Sequence, residues 1–180
     1  MHRLFVALRP PREIRDTLSA TMTGVPGARW QDDSRLHLTL RYIGEVERPV
    51  AETAAALLAV RAPAPRVALA GVGRFDRRAR TEALWAAVSP HDALAALHRK
   101  IDHALVRVGL KPEGRAYLPH FTIARLSRGV GSEAQIARWL ADHASLSSAQ
   151  FALPYLILYE SFLGRGGARY EAVARQPLTA

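Results

Sequence analysis

Leu36-His37-Leu38-Thr39-Leu40-Arg41-Tyr42-Ile43-Gly44 and Pro119-His120-Phe121-Thr122-Ile123-Ala124-Arg125 are the two stretches on which the fold turns. Each carries His, an apolar residue, Thr and a second apolar residue in succession, starting at positions 37 and 120. Such alternation is the period of a half-buried β-strand, in which successive side chains point to opposite faces. His37 and Thr39 therefore share one face, with Leu38 and Leu40 on the other; His120 and Thr122 stand likewise against Phe121 and Ile123. With 7 histidines in 180 residues, the four-residue pattern is expected only ~0.07 times by chance. Two copies at like places in two halves point to a duplicated architecture.

The surrounding sequence supports this. Leu4 to Leu8 reads as a first strand, and Pro11 opens a helix through Ile14, Leu18 and Met22 that stops at Gly24. After the first motif strand, which ends at Gly44, Pro49 opens an Ala-rich helix reaching about Val60. Arg66 to Val72 and Ala83 to Ser89 read as strands separated by a basic loop from Gly73 to Arg80, in which Arg77 and Arg78 are candidates to guide a polyanion. In the second half, Leu94, Leu97, Ile101, Leu105 and Val108 form one apolar helix face after Pro90. The second motif strand follows, then a helix capped by Ser132 and running through Ile136 and Leu140. Tyr155 to Leu163 and Arg169 to Ala174 close the chain as two strands around Gly164 to Gly167. The expectation is an α+β fold, one domain over residues 1–180 built from two similar lobes.

Composition narrows the function classes. The 49% hydrophobic fraction supports a real core and excludes a disordered tail. Without cysteine, a disulfide framework, a thiolate zinc site and a Cys nucleophile are excluded. No apolar run approaches the ~20 residues that span a bilayer, and the start lacks a signal-peptide pattern, so a cytoplasmic protein without membrane contact is expected. Lys100 and Lys111 are the only lysines among 25 basic residues, and the formal net charge is +9. Guanidinium forks suit phosphate, but the arginines are dispersed, so composition bias explains them as well as a polyanionic partner does.

The matched strands say more. If the polar faces of the two lobes meet, one cleft receives two imidazoles and two hydroxyls. An unperturbed pKa of about 6.5 lets one imidazole accept a proton and the other donate one near neutrality. In-line displacement at phosphorus uses such a pair, with fixed donors on the remaining phosphate oxygens, and this design calls for no metal or cofactor. Either motif alone would more often be structural, since Thr is simply a good strand former. His91, His98 and His103 share a helix, but none stands four residues from another as a helical metal-ligand pair would. With His2 and His143 they are expected to be solvated or locally bonded.

Taken with Leu4 to Leu8, Arg29-Trp30, the closing Leu158-Tyr159-Glu160-Ser161-Phe162-Leu163 and Tyr170, the motif strands make the chain resemble the two-histidine phosphoesterase superfamily over its whole length. Within it the likeness is to the RNA 2′,3′-cyclic phosphodiesterases, also called LigT-like 2′-5′ RNA ligases. The resemblance implies a bilobal, pseudo-twofold fold with two antiparallel sheets facing a central cleft and helices packed outside. It implies metal-independent hydrolysis of a terminal RNA 2′,3′-cyclic phosphate to a 2′-phosphate, with reversible 2′-5′ ligation on the same site. It assigns His37 as proton donor, His120 as proton acceptor, Thr39, Thr122 and Arg125 as phosphate ligands, and Tyr42 as a ring against the terminal nucleoside. The partners it implies are RNA ends bearing cyclic phosphates, tRNA fragments among them, met by a monomer.

One geometric tension remains. Alternation puts Arg41 and Ala124 on the histidine face and Tyr42 and Arg125 on the other. For the latter two to reach the cleft, each strand must twist, bulge or end just past its threonine; otherwise Arg41 substitutes for Arg125. The competing reading is a non-catalytic, Arg-rich RNA-binding module, for which alanine at either histidine would leave affinity unchanged.

Overall fold

A computed structural model describes residues 1–47, 49–165 and 167–180. Strand β1 (His2–Leu8) is buried from Leu4 onward, as its unbroken apolar run requires of a strand covered on both faces. It pairs antiparallel with β3 (Leu38–Val46) on one side and β8 (Tyr155–Gly164) on the other, and β9 (Gly167–Pro177) extends the row. Position 166, in the turn expected between the last two strands, lies outside the described residues. The second row runs β7 (Phe151–Ala152), β4 (Arg66–Arg77), β5 (Arg80–Ser89) and β6 (His120–Arg125), again antiparallel. A short β2 (Arg29–Trp30) lies along the far half of β6.

The two rows correspond strand for strand, with β3 and β6, the motif strands, innermost. They join where Leu38 pairs with Phe121, so the two sheets expected from the sequence form one hydrogen-bonded sheet of nine strands, eight in a row with β2 alongside β6, across a narrow seam. One face of this surface carries the main core and the helices. The other carries a small cluster of Phe5, Ala7, Ile157 and Tyr159, with Tyr170 against it.

Helix α1 (Arg12–Ser19) stops short of Met22. The amides of Thr21 and Met22 bond three residues back, and the Thr21 hydroxyl also donates to the Leu18 carbonyl, tightening the last turn out of α geometry. Helix α2 (Val50–Leu58) follows Pro49, and α3 (Asp92–Arg107) buries Leu94, Leu97, Ile101 and Leu105. Helix α4 (Glu133–Asp142) begins with a reciprocal capping box between Ser132 and Gln135. Helix α3 leaves β5 of one sheet yet packs on β3 of the other and against α2. Trp139 of α4 donates its indole N–H to the Thr21 carbonyl beyond α1 (2.8 Å). No described helix is long and apolar enough to cross a membrane.

The segment from Gly73 to Arg80 is not the loop its charge suggested. Strands β4 and β5 run on through it, and only Arg78 and Ala79 turn, both at positive φ (52° and 59°). That is the backbone of a type I′ hairpin, whose twist matches the flanking strands. The basic side chains belong to a protruding hairpin that keeps its ladder, so polarity alone misjudged it. Arg77 and Arg78 lie at the hairpin tip.

Candidate active site

The seam brings the two motifs together at their midpoints. Leu38 and Phe121, the residues between His and Thr in each copy, pair across β3 and β6 and are fully buried. Antiparallel register then sets His37 across from Thr122 and Thr39 across from His120 on the opposite face, where all four line one cleft of about 410 Å³. Tyr42 and Arg125 line it too.

Two bulges bring the last pair in. Along β1 and β3, Ala7 pairs with Thr39 but Val6 with Arg41, leaving Leu40 as an extra residue. Along β5 and β6, Trp85 pairs with Thr122 but Leu84 with Ala124, leaving Ile123 extra. An extra residue reverses the alternation beyond it, so Tyr42 and Arg125 turn to the histidine face. Arg41 turns inward. Only 6% exposed, its guanidinium bonds Asp102 of α3 (2.7 Å) and the carbonyl of Lys111. Burial raises the Asp102 carboxyl, but the Arg41 hydrogen bond and the Glu113 amide outweigh it and hold the group below its usual value. Arg41 therefore anchors α3 and the segment beyond it to β3, and is spent before it can meet a phosphate.

The imidazoles are held alike. Nδ1 of His37 lies 2.7 Å from the Arg35 carbonyl, and Nδ1 of His120 lies 2.7 Å from the Leu118 carbonyl. A carbonyl only accepts, so each Nδ1 carries hydrogen and each Nε2 is left with its lone pair. Aromatic rings close around both. Phe5 and Tyr170 stand 5.0 and 5.3 Å from His37, and Phe75 and Trp85 stand 4.9 and 5.8 Å from His120, centroid to centroid. Burial pushes His37 down to about 4, against the Arg35 carbonyl and with help from the nearby Arg125 and His120 charges. Burial lowers His120 as well, opposed by the Leu118 carbonyl and aided by Arg125. Both shifts favour the neutral imidazole at pH 7.

Phe5, Ser161 and Tyr170 were visible in the sequence as apolar or family-like positions but not as cleft residues. Gln31 and Arg115, which also line it, carried no local signal, because long connections bring them in. Of the remaining histidines, His98 donates to the Leu40 carbonyl at the bulge (2.7 Å) and stacks on Tyr117, and His91 bonds the Val88 carbonyl. Among the described residues no three His, Asp or Glu are grouped to hold a metal ion.

Comparison with known proteins gives a consistent picture. Residues 10–159 match the family described as the 2′-5′ RNA ligase superfamily. An RNA 2′,3′-cyclic phosphodiesterase of Aeropyrum pernix is 30% identical over 162 residues, 89% of this chain and 90% of that one. One of Geobacillus stearothermophilus is 29% identical over 97% of this chain, which spans only 56% of that protein's length. Among solved structures, a phosphoesterase superposes with a TM-score of 0.75 at 25% identity, covering 99% of both chains. Ligand-free E. coli LigT superposes with a TM-score of 0.74 at 25% identity, covering 99% of this chain and 98% of that one.

Proposed function

Because the chain belongs to the 2′-5′ RNA ligase superfamily, we propose that it is an RNA 2′,3′-cyclic phosphodiesterase in which His37 and His120 pass protons across a terminal phosphate. The observation that carries this reading is the mirrored anchoring of the two imidazoles, each tied through Nδ1 to a carbonyl two residues before it. That leaves two nitrogens in one cleft as acid and base. His120 Nε2 takes a proton from water as the oxygen attacks phosphorus. The bond from phosphorus to the ribose 3′-oxygen breaks, His37 protonates that oxygen, and a 2′-phosphate remains. Thr39, Thr122 and Arg125 hold the phosphate oxygens, and Tyr42, 43% exposed on the cleft rim, lies against the terminal nucleoside.

The donor must be charged before it can act, yet burial favours the neutral form of His37 at pH 7. An anionic phosphate between the imidazoles favours the imidazolium, so the proton is taken up with the substrate. A ribose 5′-hydroxyl attacking a cyclic phosphate in place of water would make the 2′-5′ linkage with the same residues, and the concentration of water favours hydrolysis. This reading also takes residues 1–180 as one domain, since α3 ties the β5 side to β3, working on RNA ends as a cytoplasmic monomer.

The deciding assay incubates the protein with an oligoribonucleotide ending in a 2′,3′-cyclic phosphate, with EDTA present. Conversion to a 2′-phosphate supports the proposal. No reaction, or an absolute need for added metal, sinks it; a 3′-phosphate product reverses the assignment of leaving group and acid.

A further inference from the structure

Beside the cleft lies a second recess of about 420 Å³, which shares Gln31, Arg125 and Tyr170 with it. Its electrostatics are unusual for this protein. Most of the other arginines near the cleft are matched by acids: Arg41 by Asp102, Arg115 by Glu113, Arg9 and Arg15 by Asp33. Among the described residues the recess is lined by Arg29, Arg35 and Arg125 and by no carboxylate, and of the three Arg35 is paired with Asp32 (3.1 Å). Arg29 and Arg125 are direct cross-strand partners on β2 and β6. Among the described residues neither makes an ion pair or a side-chain hydrogen bond.

Like charges directly opposite each other on a sheet repel, and an anion between them would relieve that cost. Leu163, Gly164, Gly167 and Ala168 also line the recess. A Cβ at Gly167 would fall 2.9 Å from Arg35 Nη1 and 3.1 Å from Arg29 Nη2, so both guanidiniums lie close against this glycine. The space on the other side of the cleft, past Tyr42 and Arg115, contains Glu113 and offers no comparable excess of positive charge.

We propose that this recess is a second phosphate site, which holds the phosphodiester next to the reacting RNA terminus between Arg29 and Arg125. The proposal rests on the phosphodiesterase reading and adds to it a preference for RNA chains over single nucleotides. Arg29 is a specificity residue, remote from the reacting atoms, while Arg125 stands at the boundary of both spaces.

The test compares the wild type with Arg29→Gln and Arg29→Lys on a fluorescent oligoadenylate ending in a cyclic phosphate and on adenosine 2′,3′-cyclic phosphate. Binding of the oligoadenylate is titrated by polarisation at several salt concentrations. Arg29→Gln is expected to weaken binding about tenfold at low salt and to flatten the plot of log affinity against log salt by about 0.7, one single-strand phosphate contact. Arg29→Lys recovers most of that slope. The ratio of kcat/KM for oligoadenylate over mononucleotide falls in Arg29→Gln by the same factor. An unchanged slope overturns the second site, as does an equal loss for polyglutamate of matched charge, which would mark a generic anion patch. Expected binding without turnover by the wild type would retain the second site and overturn the phosphodiesterase reading alone.

Discussion

An imidazole tied through Nδ1 has one nitrogen left for chemistry, and both motif histidines are tied in that way. Replacing either with alanine is expected to lower kcat/KM by at least about 10²-fold while the circular dichroism spectrum stays native; activity near wild type would favour the non-catalytic RNA-binding reading. Depressed pKa values also place the working pH. A singly protonated pair is needed, and with both groups lowered by burial it forms only on the acid side. The kcat/KM profile should therefore peak below pH 6.5, and a peak above 7.5 would show that burial does not govern the pair. The two arginines near Tyr42 separate by a different readout. Arg125→Ala should cost activity with little change in Tm. Arg41→Ala leaves the Asp102 carboxylate with only the Glu113 amide and should cost stability, seen as a lower urea midpoint. His37, Thr39, His120 and Thr122 were legible because alternation holds within each four-residue motif. Gln31 and Arg115 were not, because nothing local marks where a connection will fold back.

Elements place these residues by breaking their own regularity. A perfect β3 would present Arg41 to the cleft, and a perfect β6 would present Ala124; the extra residues Leu40 and Ile123 present Tyr42 and Arg125 instead. The sequence showed that some irregularity was needed in both strands, but not which kind, since a bulge is defined by the partner strand. The neighbouring strands show a second compensation. Phe5 on β1 pairs with Tyr159 on β8 beside His37, whereas Trp85 on β5 pairs with Gly73 on β4 beside His120. The larger indole fills the space a side chain would take, and a Cβ at Gly73 would sit 2.3 Å from the Trp85 ring. Gly73→Ala must therefore move Trp85. Overpacking of this kind costs about 1–3 kcal/mol, and because Trp85 packs on His120, kcat should fall along with thermal stability. A variant with normal kcat would show that the indole does not hold the imidazole in place.

At the scale of the whole molecule, burying a neutral imidazole ties stability to pH. Above about 6.5 His37 is neutral whether folded or not. Between 6.5 and about 4 the unfolded chain binds a proton that the folded chain refuses, so stability falls as pH falls through that window. The loss is on the order of 3 kcal/mol. Urea midpoints measured across the window should show it, and His37→Gln should flatten the curve; an identical slope in that variant would assign the effect to other groups. What the amino-acid sequence determined by itself was whatever depends on neighbours along the chain: strand period, helix faces and caps, and the duplicated His and Thr pattern. The tertiary structure alone decided that the two motif strands meet at Leu38 and Phe121, that Arg125 rather than Arg41 reaches the cleft, and that Arg29 comes to stand opposite Arg125. Those outcomes depend on pairing between strands far apart in the chain, and alternation within one strand carries no information about the partner that shifts its register.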